Sequence, residues 1–164
     1  MSKIAIFFGS TTGTCESLAG IIAGKLGVSD IFSAADLGAT TIAEYDVLVL
    51  GTSTWGDGEL QDDWYDAVEL LKSADLSNKK IALFGCGDSA SYPDTFCGAM
   101  GIVYEACQGA SIIGKGMSTD GYSFGQSQAV KDGAWVGCAI DEVNESHLTE
   151  ARIDAWLAKV KAEL

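Results

Sequence analysis

The segment from Ile4 to Leu26 joins an apolar run to a helical pattern through a short polar loop. Ile4–Phe8 is rich in β-branched and aromatic residues, which predicts a buried strand. Apolar residues then recur at helical spacing over Cys15–Leu26. The loop between them, Gly9–Thr14, contains only hydroxyl and glycine residues. Such a loop directs backbone N–H groups, hydroxyls and the positive end of a helix dipole toward one point, which predicts a phosphate site built from neutral donors.

Strand-like runs and helical patterns alternate along the rest of the chain. The predicted strands are Ile4–Phe8, Val28–Phe32, Val47–Leu50, Ile81–Phe84, Ser111–Ile113 and Val136–Ile140. The predicted helices are Cys15–Leu26, Asp62–Lys72, Thr95–Gln108 and a last one from Thr149, taken as its N-cap, to Leu164. This alternation predicts an α/β fold of three layers, in which helices cover both faces of a doubly wound, five-stranded parallel sheet. Ligands of such sheets bind at the carboxyl ends of the strands.

The stretch Gly114–Gly133 interrupts the alternation. It contains five glycines among polar and aromatic residues. We predict that it is an inserted loop, and that it splits the fifth strand into Ser111–Ile113 and Val136–Ile140. Because 164 residues suffice for one core and no linker is recognisable, we expect a single domain over residues 1–164.

Negative charge dominates the chain, and its distribution is uneven. The net charge of −13 excludes nucleic acid as a natural partner, since phosphate backbones need clustered Lys and Arg. Between Leu26 and Leu71 there is no basic residue, and ten acidic residues lie there: Asp30, Asp36, Glu44, Asp46, Asp57, Glu59, Asp62, Asp63, Asp66 and Glu69. This segment is either a solvated acidic surface or a docking face for basic proteins. With neither signal-peptide features nor an apolar run of membrane-spanning length, we expect a cytoplasmic protein with no membrane partner.

The five cysteines are scattered and include no C-x-x-C pair. Their spacing predicts neither a zinc nor an iron–sulfur site, and we expect no metal. Most are expected to be small core residues in a reducing compartment. Cys15 differs, because it closes the predicted phosphate loop. A helix N-terminus there would lower the pKa of the thiol, and a thiolate would repel a phosphate.

Two further loops leave the carboxyl ends of the third and fourth predicted strands. They are Thr52–Leu60 and Gly85–Asp94, and each carries one aromatic residue, Trp55 or Tyr92, among turn residues. One such ring can simply cover the edge of the core. Two of them, beside a phosphate loop at the same sheet edge, favour a planar ligand held between rings.

With these three loops the chain resembles the flavodoxins over nearly its whole length. Ser10-Thr11-Thr12-Gly13-Thr14 resembles their FMN phosphate loop, Trp55 and Tyr92 stand where the family has two aromatics flanking the isoalloxazine ring, and Gly114–Gly133 resembles the extra loop of the long-chain subclass. The resemblance implies strand order 2-1-3-4-5. It also implies a cofactor-binding set: Ser10, Thr11, Thr12, Gly13, Thr14, Cys15, Ser53, Thr54, Trp55, Gly56, Asp57, Gly58, Cys86, Gly87, Asp88, Tyr92 and Asp94.

The function that the resemblance implies is electron transport without catalytic residues. The chain would be a low-potential one-electron carrier whose non-covalently bound FMN shuttles between semiquinone and hydroquinone. The Gly56 carbonyl would accept a hydrogen bond from the reduced flavin. Implied partners are basic-faced redox proteins, such as a ferredoxin– or flavodoxin–NADP reductase, a pyruvate oxidoreductase or nitrogenase. They would dock on the acidic segment Asp57–Glu69 of a monomer.

Two other functions stay open at this point. A small FMN-dependent, quinone reductase-like enzyme would need an apolar substrate pocket over the flavin, which Trp55 and Tyr92 would close if both stack on it. A binding module whose loops no longer hold flavin would be colourless. Many long-chain flavodoxins have Asp two residues beyond the Asp-Glu pair that ends the last strand. Here Val143 follows Asp141-Glu142, and this leaves the ribityl contacts at that end open.

Overall fold

Parallel strands form the centre of the computed structural model, which describes residues 3–9, 13–55 and 58–164. The strands are β1 Ile4–Gly9, β2 Ile31–Ser33, β3 Val47–Trp55, β4 Glu59–Leu60, β5 Lys80–Cys86, β6 Ser111–Ile113, β7 Met117–Ser118, β8 Val130–Lys131, β9 Ala134–Trp135 and β10 Cys138–Ile140. The α-helices are α1 Thr14–Leu26, α2 Ala39–Glu44, α3 Trp64–Ser73, α4 Gly98–Ala106 and α5 Thr149–Glu163. Among the described residues, no helix is both long and apolar enough to cross a membrane.

The order of the sheet is β2-β1-β3-β5, with β6 and β10 both paired to the outer side of β5. Ser111 pairs with Lys80 at the start of β5, whereas Ile140 pairs with Cys86 at its end. The fifth position is therefore divided between two short strands, and the segment between them carries a separate antiparallel sheet of order β7-β9-β8. The predicted fold class, strand order and split fifth strand are confirmed.

Alternating side chains of the strands supply two cores, one on each face of the sheet. Phe7, Leu50 and Leu83 pack with α3 and α4 on one face. On the other face, Ile6, Val49 and other buried residues pack with α1 and α5. Because successive strand residues point to opposite faces, both sets can be apolar only if helices cover both sides. This explains the nearly continuous apolar runs in the sequence.

Several predicted boundaries are wrong, and backbone conformation explains two of them. The helix predicted from Thr95 begins at Gly98, because Cys97 adopts a left-handed conformation with φ 53°. The strand predicted from Val28 begins only at Ile31, after Gly27 has ended α1 with φ 71°. Thr149 is the first residue of α5 rather than its cap, since a 3₁₀ turn over Ser146–Leu148 runs directly into the helix. Helix α2 was not predicted.

Candidate functional site

A cleft opens where β1, β3, β5 and β10 end and α1 begins. Its volume is about 220 Å³, and we refer to it as the main cleft. Trp55 and Tyr92, exposed by 39% and 44%, are its large aromatic residues. The residues that line it are Thr14, Ser53, Thr54, Trp55, Cys86, Gly87, Asp88, Tyr92, Glu142 and Val143.

The main cleft brings together residues of all three predicted loops. Eight of its lining residues belong to the set proposed from the sequence: Thr14, Ser53, Thr54, Trp55, Cys86, Gly87, Asp88 and Tyr92. The predicted residues Ser10, Thr11, Thr12, Gly56 and Asp57 lie outside the described residues. Sequence reasoning missed Glu142 and Val143 as lining residues. The predicted topology could have identified them, because they follow the last strand and the carboxyl ends of parallel strands lie at one edge of the sheet.

The first turn of α1 stands at one end of the main cleft. Gly13 precedes the helix with φ 91° and ψ −6°, a left-handed conformation that glycine adopts without a steric penalty. Its carbonyl accepts the first helical hydrogen bond, from the Ser17 N–H at 3.0 Å. The N–H groups at the beginning of a helix have no carbonyl partners within the helix. This end of the cleft therefore has the polarity that suits an anionic group.

The side chain of Cys15 does not point into the main cleft. It is wholly buried and packs with Leu18, Ile22 and Cys86. A hydrogen bond with the Cys86 side chain, together with burial, raises the pKa of the Cys15 thiol well above its ordinary value. The expectation of a lowered pKa and a thiolate facing the phosphate is therefore wrong. Only the backbone of Cys15 remains available to a ligand there.

Trp55 projects from a two-stranded ribbon that β3 forms with β4. Trp55 pairs with Glu59 and Thr54 with Leu60, and Gly58 turns the chain between them with φ 90°. The Trp55 indole N–H donates to Ser53 Oγ at 3.0 Å. Thr54 Oγ1 accepts from the Ala99 N–H of α4 at 3.3 Å. These contacts fix the orientation of the indole ring relative to the sheet.

The loop that carries Tyr92 is folded around Asp88. The Asp88 carboxylate accepts from the Ala90 N–H at 3.2 Å and from the Ser91 N–H at 3.0 Å. It also accepts from the Asn144 side-chain amide at 2.9 Å. The Asn144 hydrogen bond, followed by those from the loop, lowers the pKa of the Asp88 carboxyl. Asp88 is therefore ionised at neutral pH, and its charge lies at the edge of the main cleft.

Asp141 connects the same loop to the end of β10. It is wholly buried, and its carboxylate accepts hydrogen bonds from the Ser89 hydroxyl and from the Ser89 N–H. It also accepts from the Asn144 N–H at 3.0 Å and from the Asn144 amide at 3.0 and 3.1 Å. A buried carboxylate is stable only when hydrogen bonds satisfy it in this way. These hydrogen bonds fix the position of the Tyr92 loop relative to the segment with Glu142 and Val143.

The inserted segment supports the Tyr92 loop from outside. The Pro93 carbonyl accepts from the Gly125 N–H at 2.6 Å and from the Gln126 N–H at 3.1 Å. Asp94 does not line the main cleft; its carboxylate lies directly against Gly125. The loop turns this side chain toward the insertion, and the predicted contact of Asp94 with the cofactor stays a prediction.

The chemistry of the main cleft suits a flat ligand with an anionic end. Within the described part of the chain, its lining contains two aromatic rings, backbone and hydroxyl groups, the two acidic residues Asp88 and Glu142, and no Lys or Arg. Rings can cover a planar system on its faces. The carboxylates would disfavour additional negative charge near the rings, and more strongly where bound ligand excludes water.

Comparisons with known proteins agree on one family. A sequence model of the family described as flavodoxin matches residues 6–156. A flavodoxin from Picosynechococcus is 43% identical over 166 residues, which cover 98% of this chain and 97% of that protein. Flavodoxin 1 from Azotobacter vinelandii is 38% identical over 171 residues, which cover 99% of this chain and 98% of the relative. The crystal structure of Fusobacterium nucleatum flavodoxin bound to flavin mononucleotide matches with a TM-score of 0.92 at 29% identity and covers 100% of this chain and 99% of that one.

Proposed function

The chain belongs to the flavodoxin family, and from that premise we propose that it is an electron carrier that binds FMN and performs no substrate chemistry. One observation of the molecule carries the proposal. Seven large hydrophobic side chains of the described residues are exposed, and Trp55, Tyr92 and Val143 among them line the main cleft. Such a concentration of exposed apolar surface in a concave site is typical of a ligand-binding site.

The residues present fit FMN. Trp55 and Tyr92 would cover the isoalloxazine ring, with Ser53, Thr54, Cys86, Gly87 and Asp88 around it. The phosphate would lie at the start of α1, held by Ser10, Thr11, Thr12, Thr14 and the backbone of Gly13 and Cys15. The turn Gly56-Asp57-Gly58 would contact the edge of the ring. FMN, when bound, supplies the ability to accept and release single electrons.

The protein's own contribution is to set the conditions for that exchange. Trp55 and Tyr92 exclude water from the ring, which strengthens every nearby electrostatic interaction. Asp88 and Glu142 place negative charge at the cleft and therefore oppose the accumulation of more. We expect the second electron to be held at a low potential for this reason, and the chain to be a strong reductant when fully reduced.

A reductive titration of the FMN-loaded protein without oxygen tests this function. We expect one FMN per chain and two resolved one-electron steps in the visible spectrum. Replacement of Trp55 by Ala should weaken FMN binding about fivefold or more, because stacking of an aromatic base on such a ring contributes about 1–3 kcal/mol. Tyr104→Ala is the matched control, since Tyr104 lies outside the main cleft. A single two-electron step, or no bound FMN, would contradict the proposal.

The chain exchanges electrons with other proteins, and we propose that these have basic faces. We call five residues the acidic face: Glu59 on β4, Asp62 and Asp63 just before α3, and Asp66 and Glu69 within α3. Glu59 and Asp62 lie near Trp55. Opposite charge speeds the encounter of two proteins and makes it sensitive to salt.

Kinetics with an NADP-dependent flavodoxin reductase can test this face. Reversal of Asp62, Asp63 and Asp66 to Lys should lower the association rate at least tenfold at low salt and flatten its dependence on salt. Reversal of Asp75, Glu105 and Asp120 gives the same change in net charge away from this face. Equal effects of the two triple variants would show that only net charge matters.

A further inference from the structure

A second concave site adjoins Trp55. It has a volume of about 310 Å³ and is lined by Trp55, Glu59, Leu60, Asp62 and Tyr65. We call it the lateral pocket. The β3–β4 ribbon forms one wall, and the chain that leads into α3 forms the other.

The lateral pocket combines two exposed aromatic rings with two carboxylates. Tyr65 is 51% exposed, Leu60 forms an apolar floor, and Glu59 lies directly across the ribbon from Trp55. Within the part of the chain that the structure describes, the side chains of Glu59, Asp62 and Tyr65 form no hydrogen bond or ion pair. None of the lining residues is Lys or Arg, and the surrounding sequence Leu26–Leu71 contains neither. Among the described residues, no cation therefore pairs with the carboxylates of this pocket.

We propose that the lateral pocket binds an arginine side chain presented by the partner protein, an inference that rests on the proposed electron-carrier function. A guanidinium group is planar, stacks on aromatic faces and donates paired hydrogen bonds to carboxylates. The lateral pocket offers both kinds of surface within one site. An ammonium group lacks the planar fork and is more strongly hydrated, so lysine fits this combination less well.

A second copy of this chain cannot supply that side chain. Its single arginine is Arg152. The Arg152 guanidinium lies 3.8 Å from the centre of the Tyr122 ring, pairs with Glu145 at 3.2 Å and is only 12% exposed. The arginine must therefore come from a different protein.

The position of the lateral pocket gives its occupant access to the redox site. The indole ring of Trp55 borders the main cleft as well as the lateral pocket. An arginine held in the pocket would thus anchor the partner at the side chain that covers the FMN ring. Contacts made there orient the two redox centres, whereas the wider acidic face governs the rate of encounter.

Two tripeptides provide the test on the FMN-loaded protein. Acetyl-Gly-Arg-Gly-amide and acetyl-Gly-Lys-Gly-amide carry the same charge and differ in the cationic group. The signal is the NMR resonance of the Trp55 indole N–H, which is readily distinguished because the other three tryptophans are fully buried. We expect a saturable shift with the arginine peptide, with a Kd on the order of millimolar, and at least threefold weaker binding of the lysine peptide.

Matched variants separate the lateral pocket from the general field of the acidic face. Tyr65→Leu and Asp62→Asn should each weaken the arginine peptide about threefold or more. Asp66→Asn removes the same charge as Asp62→Asn but lies outside the lateral pocket, and it should change binding less than twofold. Equal affinity for both peptides, equal effects of Asp62→Asn and Asp66→Asn, or no shift at all would overturn the proposal.

Failure of the pocket is distinguishable from failure of the proposed function. The absorbance of bound FMN is recorded for every sample before the peptide is added. If the chain does not retain FMN, the function fails, and the same titration on the apoprotein still reports on the lateral pocket. If FMN binds and the arginine peptide does not, only the inference about the partner fails.

Discussion

Replacement of Gly13 by Ala tests the backbone geometry on which the phosphate end of the site depends. Gly13 has φ 91°, and no atom of the described residues lies within 4 Å of a Cβ built on it. The substitution therefore brings no clash with described side chains, and its effect comes from the backbone. A left-handed conformation costs a residue with a Cβ about 1–2 kcal/mol. The reduced entropy of the unfolded chain offsets about 0.4–1 kcal/mol of this.

The expected net effect is a loss of about 1 kcal/mol in the free energy of unfolding of the apoprotein. Gly20→Ala is a matched control, because Gly20 lies inside α1 with the same open space but with ordinary helical geometry. That change should raise the free energy of unfolding by about 1 kcal/mol, since Ala is the better helix former. The two substitutions should thus differ by about 2 kcal/mol and in sign.

Urea denaturation of both variants measures these differences through linear extrapolation. Binding of FMN and of riboflavin, which has no phosphate, then shows where the change acts. We expect Gly13→Ala to weaken FMN more than riboflavin. If Gly13→Ala is as stable as the unmodified chain, or if both glycines respond with the same sign, the left-handed conformation of Gly13 is refuted.

Three further predictions concern residues that line the main cleft or support its loops. Cys86 is the cysteine that lines the cleft, so iodoacetamide should alkylate it first in the apoprotein and FMN should protect it; mass spectrometry showing another cysteine ahead of it would contradict this. Asn144→Ala should raise the pKa of the Asp88 carboxyl, which carboxyl NMR measures. Because folding lowers that pKa, the ionised Asp88 carboxyl stabilises the folded chain. This stabilisation is complete above the ordinary pKa of 3.8 and is lost as the pH falls through the lowered pKa. A titration of Asp88 that is unchanged in Asn144→Ala would disprove the role of Asn144. Gly125→Pro removes the N–H that donates to the Pro93 carbonyl and should weaken FMN binding, and calorimetry that finds full affinity would exclude support of the cleft by the insertion.

The layered fold and most of the candidate site were accessible from the sequence, because both rest on local patterns. Apolar runs predicted the strands, the resemblance to the flavodoxins implied their order, and Gly114–Gly133 indicated the split fifth strand. The loops with Trp55 and Tyr92 were found because aromatic rings among turn residues are conspicuous. Their meeting at one cleft follows from parallel topology alone.

The errors arose where a side chain's direction depends on packing. Cys15 was judged by its place at a helix N-terminus, although it shares a helical stripe with Leu18 and Ile22 and is buried with them. The helical spacing of these three residues was the pattern in the sequence that could have predicted the burial of Cys15. No such pattern predicted the burial of Asp141, since nothing in the sequence around it indicates a fully buried carboxylate. Its burial depends on Ser89, which lies on a distant loop.

The divided fifth strand has a consequence for aggregation. A long outer strand exposes a row of unpaired backbone groups on which another chain can add. Here the outer positions are occupied by β2 on one side and by β6 and β10 on the other, and each of these strands has three residues. The chain leaves the sheet between β6 and β10 to form the insertion, so the row of unpaired backbone groups at this edge is interrupted halfway along β5. We therefore expect the sheet to resist edge-to-edge association with unfolded or neighbouring chains, even though its central strands consist of strongly β-forming sequence.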